Sequence, residues 1–160
     1  MSLKSFSRRD GLRLLGATCA AALAPVGAQA APVAKLLVHR SPTCGCCGAW
    51  VERLRTAGYS VEVVNEANMD PIKARLGVPA ALASCHTAEI DGYVIEGHVP
   101  AEAIERLLKE RPKTIGLAAP GMPAGSPGME TGGESEPYML YLFDASGSRE
   151  FGRYFGDKSF

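Results

Sequence analysis

The sequence lacks three features that would assign it to a broad class of proteins at once. It has no net charge, because 17 lysines and arginines balance 17 aspartates and glutamates, whereas nucleic-acid binding requires a basic patch. It contains no internal repeat. Its apolar stretch near the N-terminus, residues 14–24, is far shorter than the roughly 20 residues of a membrane-spanning helix. These absences favour one ordinary domain that binds neither nucleic acid nor a membrane.

The first 30 residues have the pattern of an export signal. Arg8-Arg9 precedes the apolar, alanine-rich stretch, and Ala28-Gln29-Ala30 supplies the small residues of a cleavage site. We therefore expect residues 1–30 to be a cleaved twin-arginine signal peptide and residues 31–160 to form a single domain. The mature protein is then expected in the periplasm, without a membrane anchor.

Cysteine carries the strongest functional signal in the chain. Of the five cysteines, Cys19 falls within the expected signal peptide, and three others lie within four residues as Cys44, Cys46 and Cys47. A domain of about 130 residues can bury a core without disulfide staples. We therefore expect these three thiols, together with Cys85, to be functional.

The spacing of these cysteines leaves both redox and metal chemistry open. Cys44 and Cys47 have the C-x-x-C spacing of a redox pair or of half a zinc site. Cys46 adds a third thiol that a disulfide exchanger does not need, and several thiolates together select soft metals such as Cu(I). Zinc is less favoured, because a closed tetrahedral zinc site normally combines two separated ligand pairs.

Hydrophobic periodicity and turn residues predict a regular succession of strands and helices. In chain order these are a strand at residues 35–39, a helix at 45–57 ended by Gly58, a strand at 61–64, a helix at 70–76, a strand ending near Cys85, a strand at 93–95, a helix at 100–110, and a hairpin of residues 138–143 and 150–155. This is the order of a thioredoxin-like α/β fold with an added C-terminal β-hairpin. Such a fold places the cysteines at a helix N-terminus, where the helix dipole stabilises thiolates. It also places Val78-Pro79 at the position of its X-cis-Pro pair.

Four further side chains are secondary candidates for metal ligands. Met122 and Met129 lie in the glycine- and proline-rich segment 120–136, and their thioethers can bind Cu(I), although methionine also fills hydrophobic gaps. His86 and His98 can complete a metal site or orient it through a hydrogen bond, although a structural role is the commoner one for histidine. The glutamates of the segment are expected to be solvated charges: Glu130, Glu134 and Glu136.

Four separated motifs resemble the CopG-type periplasmic proteins, a family associated with copper resistance and long catalogued as a domain of unknown function. The motifs are Ser41-Pro42-Thr43-Cys44-Gly45-Cys46-Cys47, Ser84-Cys85-His86-Thr87, Glu96-Gly97-His98-Val99-Pro100, and Gly121-Met122-Pro123 through Gly128-Met129-Glu130. The resemblance implies a thioredoxin-like fold, with a mixed sheet flanked by helices, whose four cysteines bind copper. Those cysteines are Cys44, Cys46, Cys47 and Cys85.

Three functions remain open on the sequence. We favour a periplasmic copper-binding protein that holds one or several Cu(I) ions in a multi-cysteine thiolate site and sequesters them or passes them to a partner protein. The second is a thiol-disulfide or copper oxidoreductase, with Cys44 as the attacking thiolate, Cys47 as the resolving thiol, and Cys46 and Cys85 as a second pair. The third is a disulfide-stapled binding module without metal.

Overall fold

The computed structural model describes residues 34–130 and 132–160, so the expected signal peptide at residues 1–30 lies outside the described residues. Within this part, the elements are β1 (Lys35–Arg40), α1 (Gly45–Thr56), β2 (Ser60–Asn65), α2 (Asp70–Arg75), a one-turn 3₁₀-helix (Ala80–Leu82), β3 (His86–Ile90), β4 (Tyr93–Glu96), α3 (Ala101–Glu110), β5 (Gly116–Ala118), β6 (Tyr138–Asp144), β7 (Gly147–Phe155) and β8 (Lys158–Ser159). Among the described residues, none of the helices combines the length and the hydrophobicity of a membrane-spanning segment.

The strands form a mixed sheet. Across the described residues, eight strands pair in the order β2-β1-β3-β4-β5-β6-β7-β8. The pairs β1–β2 and β4–β5 are parallel, and the other neighbours are antiparallel. β6 and β7 form the expected C-terminal hairpin, which turns at residues 145–146. The expected thioredoxin-like α/β class with an added hairpin is therefore confirmed.

Helix α1 begins at Gly45, as the sequence predicts, and ends at Thr56, one residue earlier than predicted. Trp50 and Leu54 are buried on its inner face, and the Trp50 indole N–H donates to the carbonyl of Val99 at 2.9 Å. Gly58 follows the helix with a φ of +95°, the left-handed conformation that favours glycine after a helix C-terminus. Ala57 is the C-cap residue of the helix and is exposed.

Two apolar clusters lie on opposite faces of the sheet. The larger one joins the inner sides of α1 and α3 to residues of β1, β3 and β4, including Ile95. The smaller one contains Leu82 of the 3₁₀-helix, Val94, Ala118 and Phe143. Because successive residues of a strand point to opposite faces, Val94 and Ile95 of β4 divide between the two clusters.

The segment between α2 and β3 differs from the prediction. The expected strand ending near Cys85 is wrong, because Pro79 leads into the 3₁₀-helix and β3 begins only at His86. Pro79 has no N–H to give to a strand ladder. Its carbonyl accepts the backbone N–H of Leu82 at 2.9 Å, and Leu82 is buried. No peptide bond of the described residues is cis, so the expected X-cis-Pro at Val78-Pro79 is also wrong.

Candidate metal centre

The first turn of α1 holds three of the four cysteines. Cys44 is the N-cap residue, and Cys46 and Cys47 follow in the first turn. The Cys44 backbone N–H donates to the Ser41 carbonyl at 3.1 Å, and the Arg40 guanidinium donates to the Cys44 carbonyl at 2.7 Å. The three sulfurs therefore lie at the N-terminal end of a helix, which is the positive end of its dipole, and the Arg40 cation contacts the backbone of the same turn.

The fourth cysteine, Cys85, lies beside this turn. Its sulfur is 4.0 Å from that of Cys46, and Cys46 Sγ is 3.5 Å from Cys44 Sγ. Cys44 and Cys47 are joined by a disulfide, whereas Cys46 and Cys85 are free thiols. The four sulfurs lie within 4.8 Å of one another. The fold thus brings together the four cysteines of the sequence prediction, two of them in oxidised form.

Two histidines extend this cluster beyond Cys85. His98 Nε2 lies 3.1 Å from Cys85 Sγ, and His98 Nδ1 lies 2.8 Å from the Pro127 carbonyl. Because a carbonyl only accepts, Nδ1 of the neutral ring carries the proton, and Nε2 presents its lone pair to the Cys85 sulfur. His86 Nδ1 lies 3.3 Å from the same sulfur, while its buried Nε2 has no hydrogen-bond partner among the described residues.

Burial sets the protonation states of these groups. It raises the pKa of the Cys85 thiol to about 12, and the negative charge of a Cys46 thiolate adds to the rise. Burial lowers the pKa of His86 well below 6.5, and the neighbouring His98 charge acts in the same direction. Burial also lowers the pKa of His98, against the opposing hydrogen bond to Pro127. At neutral pH, Cys85 therefore keeps its proton and both imidazoles are uncharged.

The glycine- and proline-rich segment lies on the first two turns of α1. A Cβ atom on Gly128 would come within 2.6 Å of the Trp50 backbone nitrogen and 2.9 Å of the Cys46 carbonyl oxygen, and the φ of Gly128 is +85°. Glu130 accepts the Gly128 backbone N–H at 2.8 Å and pairs with Arg53 of α1 at 2.7 Å. Glu130 is exposed, as expected of a solvated loop charge, and its ion pair with Arg53 joins the segment to α1 at the surface.

The two methionines of this segment occupy different environments. Met122 is 55% exposed. Met129 is half-buried in a turn, where its N–H donates to the Ser126 carbonyl at 2.7 Å. Their part in metal binding stays a prediction.

The donor set indicates which metals the centre can hold. Thiolates select Cu(I), zinc and other soft or borderline ions, and neutral imidazole suits copper and zinc. Carboxylates, which would favour hard cations, are missing from both groups of potential ligands in the described part of the chain, Cys44–Cys46–Cys47–Cys85 and Cys85–His86–His98. The residues therefore fit a soft metal ion, provided that the Cys44–Cys47 disulfide is reduced or that Cys85 and the histidines act alone.

Comparison with known proteins identifies the family. The solved structure "Copper resistance protein copG- Form 2" is 44% identical, with a TM-score of 0.72, over 76% of this chain and 98% of that chain. The chain belongs to the CopG family. A second CopG structure, "Copper resistance protein copG- Form 1", is 45% identical, with a TM-score of 0.70, over 75% of this chain and 96% of that chain. The resemblance inferred from the four motifs is thereby confirmed.

A family model described as "Protein of unknown function, DUF411" matches residues 82–129. This stretch contains Cys85, His86, His98 and both candidate methionines, while the cysteines at the start of α1 precede it. No curated protein sequence matches the chain.

Sequence reasoning missed three residues that shape the centre. Arg40 lies at the end of β1 and reaches the Cys44 carbonyl, and Gly128 allows the overlying segment to approach α1. Glu96, within a motif quoted only for resemblance, is fully buried. A charged residue at a strand end and a glycine in a loop have no distinctive pattern in one sequence, because their roles depend on contacts made by distant parts of the chain.

Proposed function

We propose that this chain is a copper-binding protein that holds Cu(I) at Cys44, Cys46, Cys47 and Cys85 and contributes to copper resistance. The observation that carries the proposal is the approach of four sulfurs to within 4.8 Å of one another. The names of its relatives, which are copper resistance proteins, support the choice of copper over other soft metals. Several thiolates within bridging distance can share more than one Cu(I) ion.

Loading of this site begins with the disulfide. A dithiol reductant attacks the Cys44–Cys47 bond and becomes a disulfide itself, while two electrons and two protons convert Cys44 and Cys47 into thiols. Each thiol then loses one proton as it binds Cu(I). The uncharged imidazoles of His86 and His98 release no proton and remain available as additional ligands.

The place of action follows from the N-terminal sequence. A twin-arginine signal would export the chain to the periplasm, where thiols tend to be oxidised and structural disulfides persist. A cysteine site there needs either a bound metal or a reductant to keep its thiols from pairing. We therefore propose a periplasmic protein that sequesters Cu(I) or exchanges it with a donor or acceptor protein.

The test measures metal and free thiols on the same sample. The chain from residue 31 onward is reduced without oxygen, loaded with Cu(I), freed of excess metal, and assayed for copper per chain and for thiols open to alkylation. We expect bound copper with all four thiols protected. Cys46→Ser should lower the copper per chain, whereas Thr43→Ser, a change at the exposed neighbour of Cys44, should leave it unchanged. Equal copper in Cys46→Ser and wild type would contradict the multi-thiolate site.

An oxidoreductase is the second candidate, favoured by the disulfide between Cys44 and Cys47. In that reaction the Cys44 thiolate attacks a substrate disulfide, and Cys47 resolves the mixed disulfide, so the substrate gains two electrons that the cysteine pair loses. Such an enzyme needs no third thiol, so Cys46→Ser would keep its exchange rate. Failure to retain copper, combined with reversible reduction of Cys44–Cys47, would favour this candidate.

A further inference from the structure

A fully buried carboxylate lies behind the cysteine centre. Glu96, the last residue of β4, has no exposed side-chain surface, and Lys73 of α2, which pairs with it at 2.5 Å, is only 13% exposed. Glu96 Oε1 also accepts the backbone N–H of Ser84 at 2.6 Å, and Oε2 accepts the Thr87 hydroxyl at 2.7 Å. Lys73 donates a second hydrogen bond to Thr87 Oγ1 at 3.0 Å. The carboxylate is thus fully paired without any contact to a sulfur.

The partners of this carboxylate flank the fourth cysteine. Ser84 and Thr87 are the residues on either side of the Cys85-His86 pair, so Glu96 holds the chain both before and after them. Gly97, which follows Glu96 in the chain, donates its backbone N–H to the His86 carbonyl at 3.0 Å. These contacts fix the backbone of Cys85 in a stretch that begins in irregular structure and enters β3 only at His86.

The end of β4 also positions His98, which contacts the Cys85 sulfur. His98 lies two residues after Glu96, and its Nε2 is 3.1 Å from Cys85 Sγ. Thr87 and Glu96 are paired across β3 and β4. Cys85 and His98 each lie two residues from this pair, so the same hydrogen bonds position both of them. Motion of Cys85 relative to His98 would require breaking contacts to Glu96.

The geometry points to Glu96 and Lys73 as positioning residues that hold the Cys85 sulfur in place against Cys46 and His98. A buried ion pair is a poor source of stability, because removing two charges from water costs about as much as their attraction returns, and an apolar pair often does as well or better. The carboxylate of Glu96 instead fixes geometry, because Oε1 accepts the Ser84 N–H and Oε2 accepts the Thr87 hydroxyl. An apolar side chain of similar volume could fill the space without fixing that segment.

The test uses the full chain with its disulfide intact and iodoacetamide as the probe. Native protein is labelled for increasing times, and peptide mass spectrometry gives the labelled fractions of Cys85 and Cys46. Glu96→Ala removes both contacts beside Cys85, so Cys85 should be labelled at least about tenfold faster than in wild type, because local opening exposes it. Glu96→Gln should give a smaller increase, since its amide oxygen can still accept the Ser84 N–H. Labelling of Cys46, held by α1, should not change.

A destabilised control separates local from global loosening. Leu107→Ala removes a fully buried side chain of α3 and weakens the core without touching Glu96. The inference is overturned if Leu107→Ala accelerates Cys85 labelling as much as Glu96→Ala, or if neither Glu96 variant accelerates it. Equal acceleration by both Glu96 variants would attribute the effect to lost charge and would also overturn it. If Glu96→Ala does not fold, Thr87→Val decides the result, because it removes the hydroxyl that donates to Glu96 Oε2 and keeps the carboxylate charge. Faster labelling of Cys85 in this variant supports the inference, and labelling at the wild-type rate overturns it.

The effect of Glu96 on metal binding rests on the proposed function and is tested separately, by measuring Cu(I) affinity. If Cys85 binds Cu(I), Glu96→Gln should lower Cu(I) affinity in the wild-type background but not in a Cys85→Ser background, because the variant acts through that sulfur. Faster Cys85 labelling with unchanged Cu(I) affinity would remove Cys85 from the proposed copper site while supporting its positioning by Glu96. Unchanged labelling would overturn the positioning and leave the copper proposal standing.

Discussion

The contact between Gly128 and α1 offers a sharp test of how the overlying segment is held. In Gly128→Ala, the new methyl group would lie 2.6 Å from the Trp50 nitrogen, 2.9 Å from the Cys46 carbonyl oxygen and 3.0 Å from the Trp50 Cα. All three atoms belong to the backbone of a helix and cannot move aside separately. The segment must therefore lift away from α1, and Pro127, whose carbonyl fixes His98, would move with it.

The loss of stability in Gly128→Ala has two parts, which can be separated by comparing alanine variants of other glycines in the same segment. A left-handed φ costs an alanine about 1 kcal/mol, and overpacking against a rigid neighbour adds about 1–3 kcal/mol. Gly128→Ala has both costs, so the free energy of unfolding should fall by about 2–4 kcal/mol. Gly121 has a φ of +67° but no atom within 4 Å of a new Cβ, so Gly121→Ala should cost only about 1 kcal/mol.

Urea unfolding of wild type, Gly121→Ala, Gly128→Ala and Gly133→Ala gives the comparison. Gly133 has neither a left-handed φ nor a neighbour within 4 Å, so its alanine variant should match wild type. The difference between Gly128→Ala and Gly121→Ala isolates the close contact with α1. Equal losses in these two variants would refute the reasoning, because the segment would then not be pressed against the helix.

Two further predictions concern buried charge. Lys73→Met leaves the unexposed Glu96 carboxylate without its cation and should lower the free energy of unfolding by about 3–5 kcal/mol. Lys35→Met breaks an ion pair whose side chains are 65% and 52% exposed, so it should lower the free energy of unfolding far less, because water screens exposed charges. Equal losses in urea unfolding would contradict the burial of the Lys73–Glu96 pair. Burial lowers the pKa of His86 well below 6.5. Between pH 6.5 and the lower pKa of the folded state, His86 is protonated in the unfolded chain but not in the folded chain. The free energy of unfolding should therefore fall as the pH drops through this window. His86→Gln should flatten the fall relative to wild type, and an unchanged slope would show that His86 does not contribute to it.

Local patterns predicted the elements that depend on local chemistry. The apolar run of β1, the glycine after α1 and the amphipathic spacing of α3 each carried enough signal to give bounds within a residue or two. β5 was missed because it has three residues and begins with a glycine, which weakens a strand pattern. Gly116 is there because a Cβ would collide with the Val94 carbonyl and the Phe143 ring, a contact between distant parts of the chain.

The residues of the candidate centre also fall into those that local sequence predicts and those that only the folded structure brings together. The spacing of Cys44, Cys46 and Cys47 was readable because one helical turn brings them together. The approach of Cys85 and His98 depends on the pairing of β1, β3 and β4, which only the assembled sheet supplies. Glu96 and Lys73 look like ordinary surface charges in the sequence, because no local pattern shows that Lys73 of α2 reaches Thr87 of β3 and Glu96 of β4.

The separation of Cys46 and Cys85 along the chain has a consequence for the lifetime of the protein. These residues are 39 positions apart, so a Cu(I) ion bound to both, as proposed, would act as a cross-link between α1 and the start of β3. Binding to the folded chain alone adds about 4 kcal/mol of stability when free ligand exceeds the dissociation constant a thousandfold. Proteases act on opened chains, so a copper-loaded form would outlast the empty one, and the amount of this protein would rise with the copper available to it.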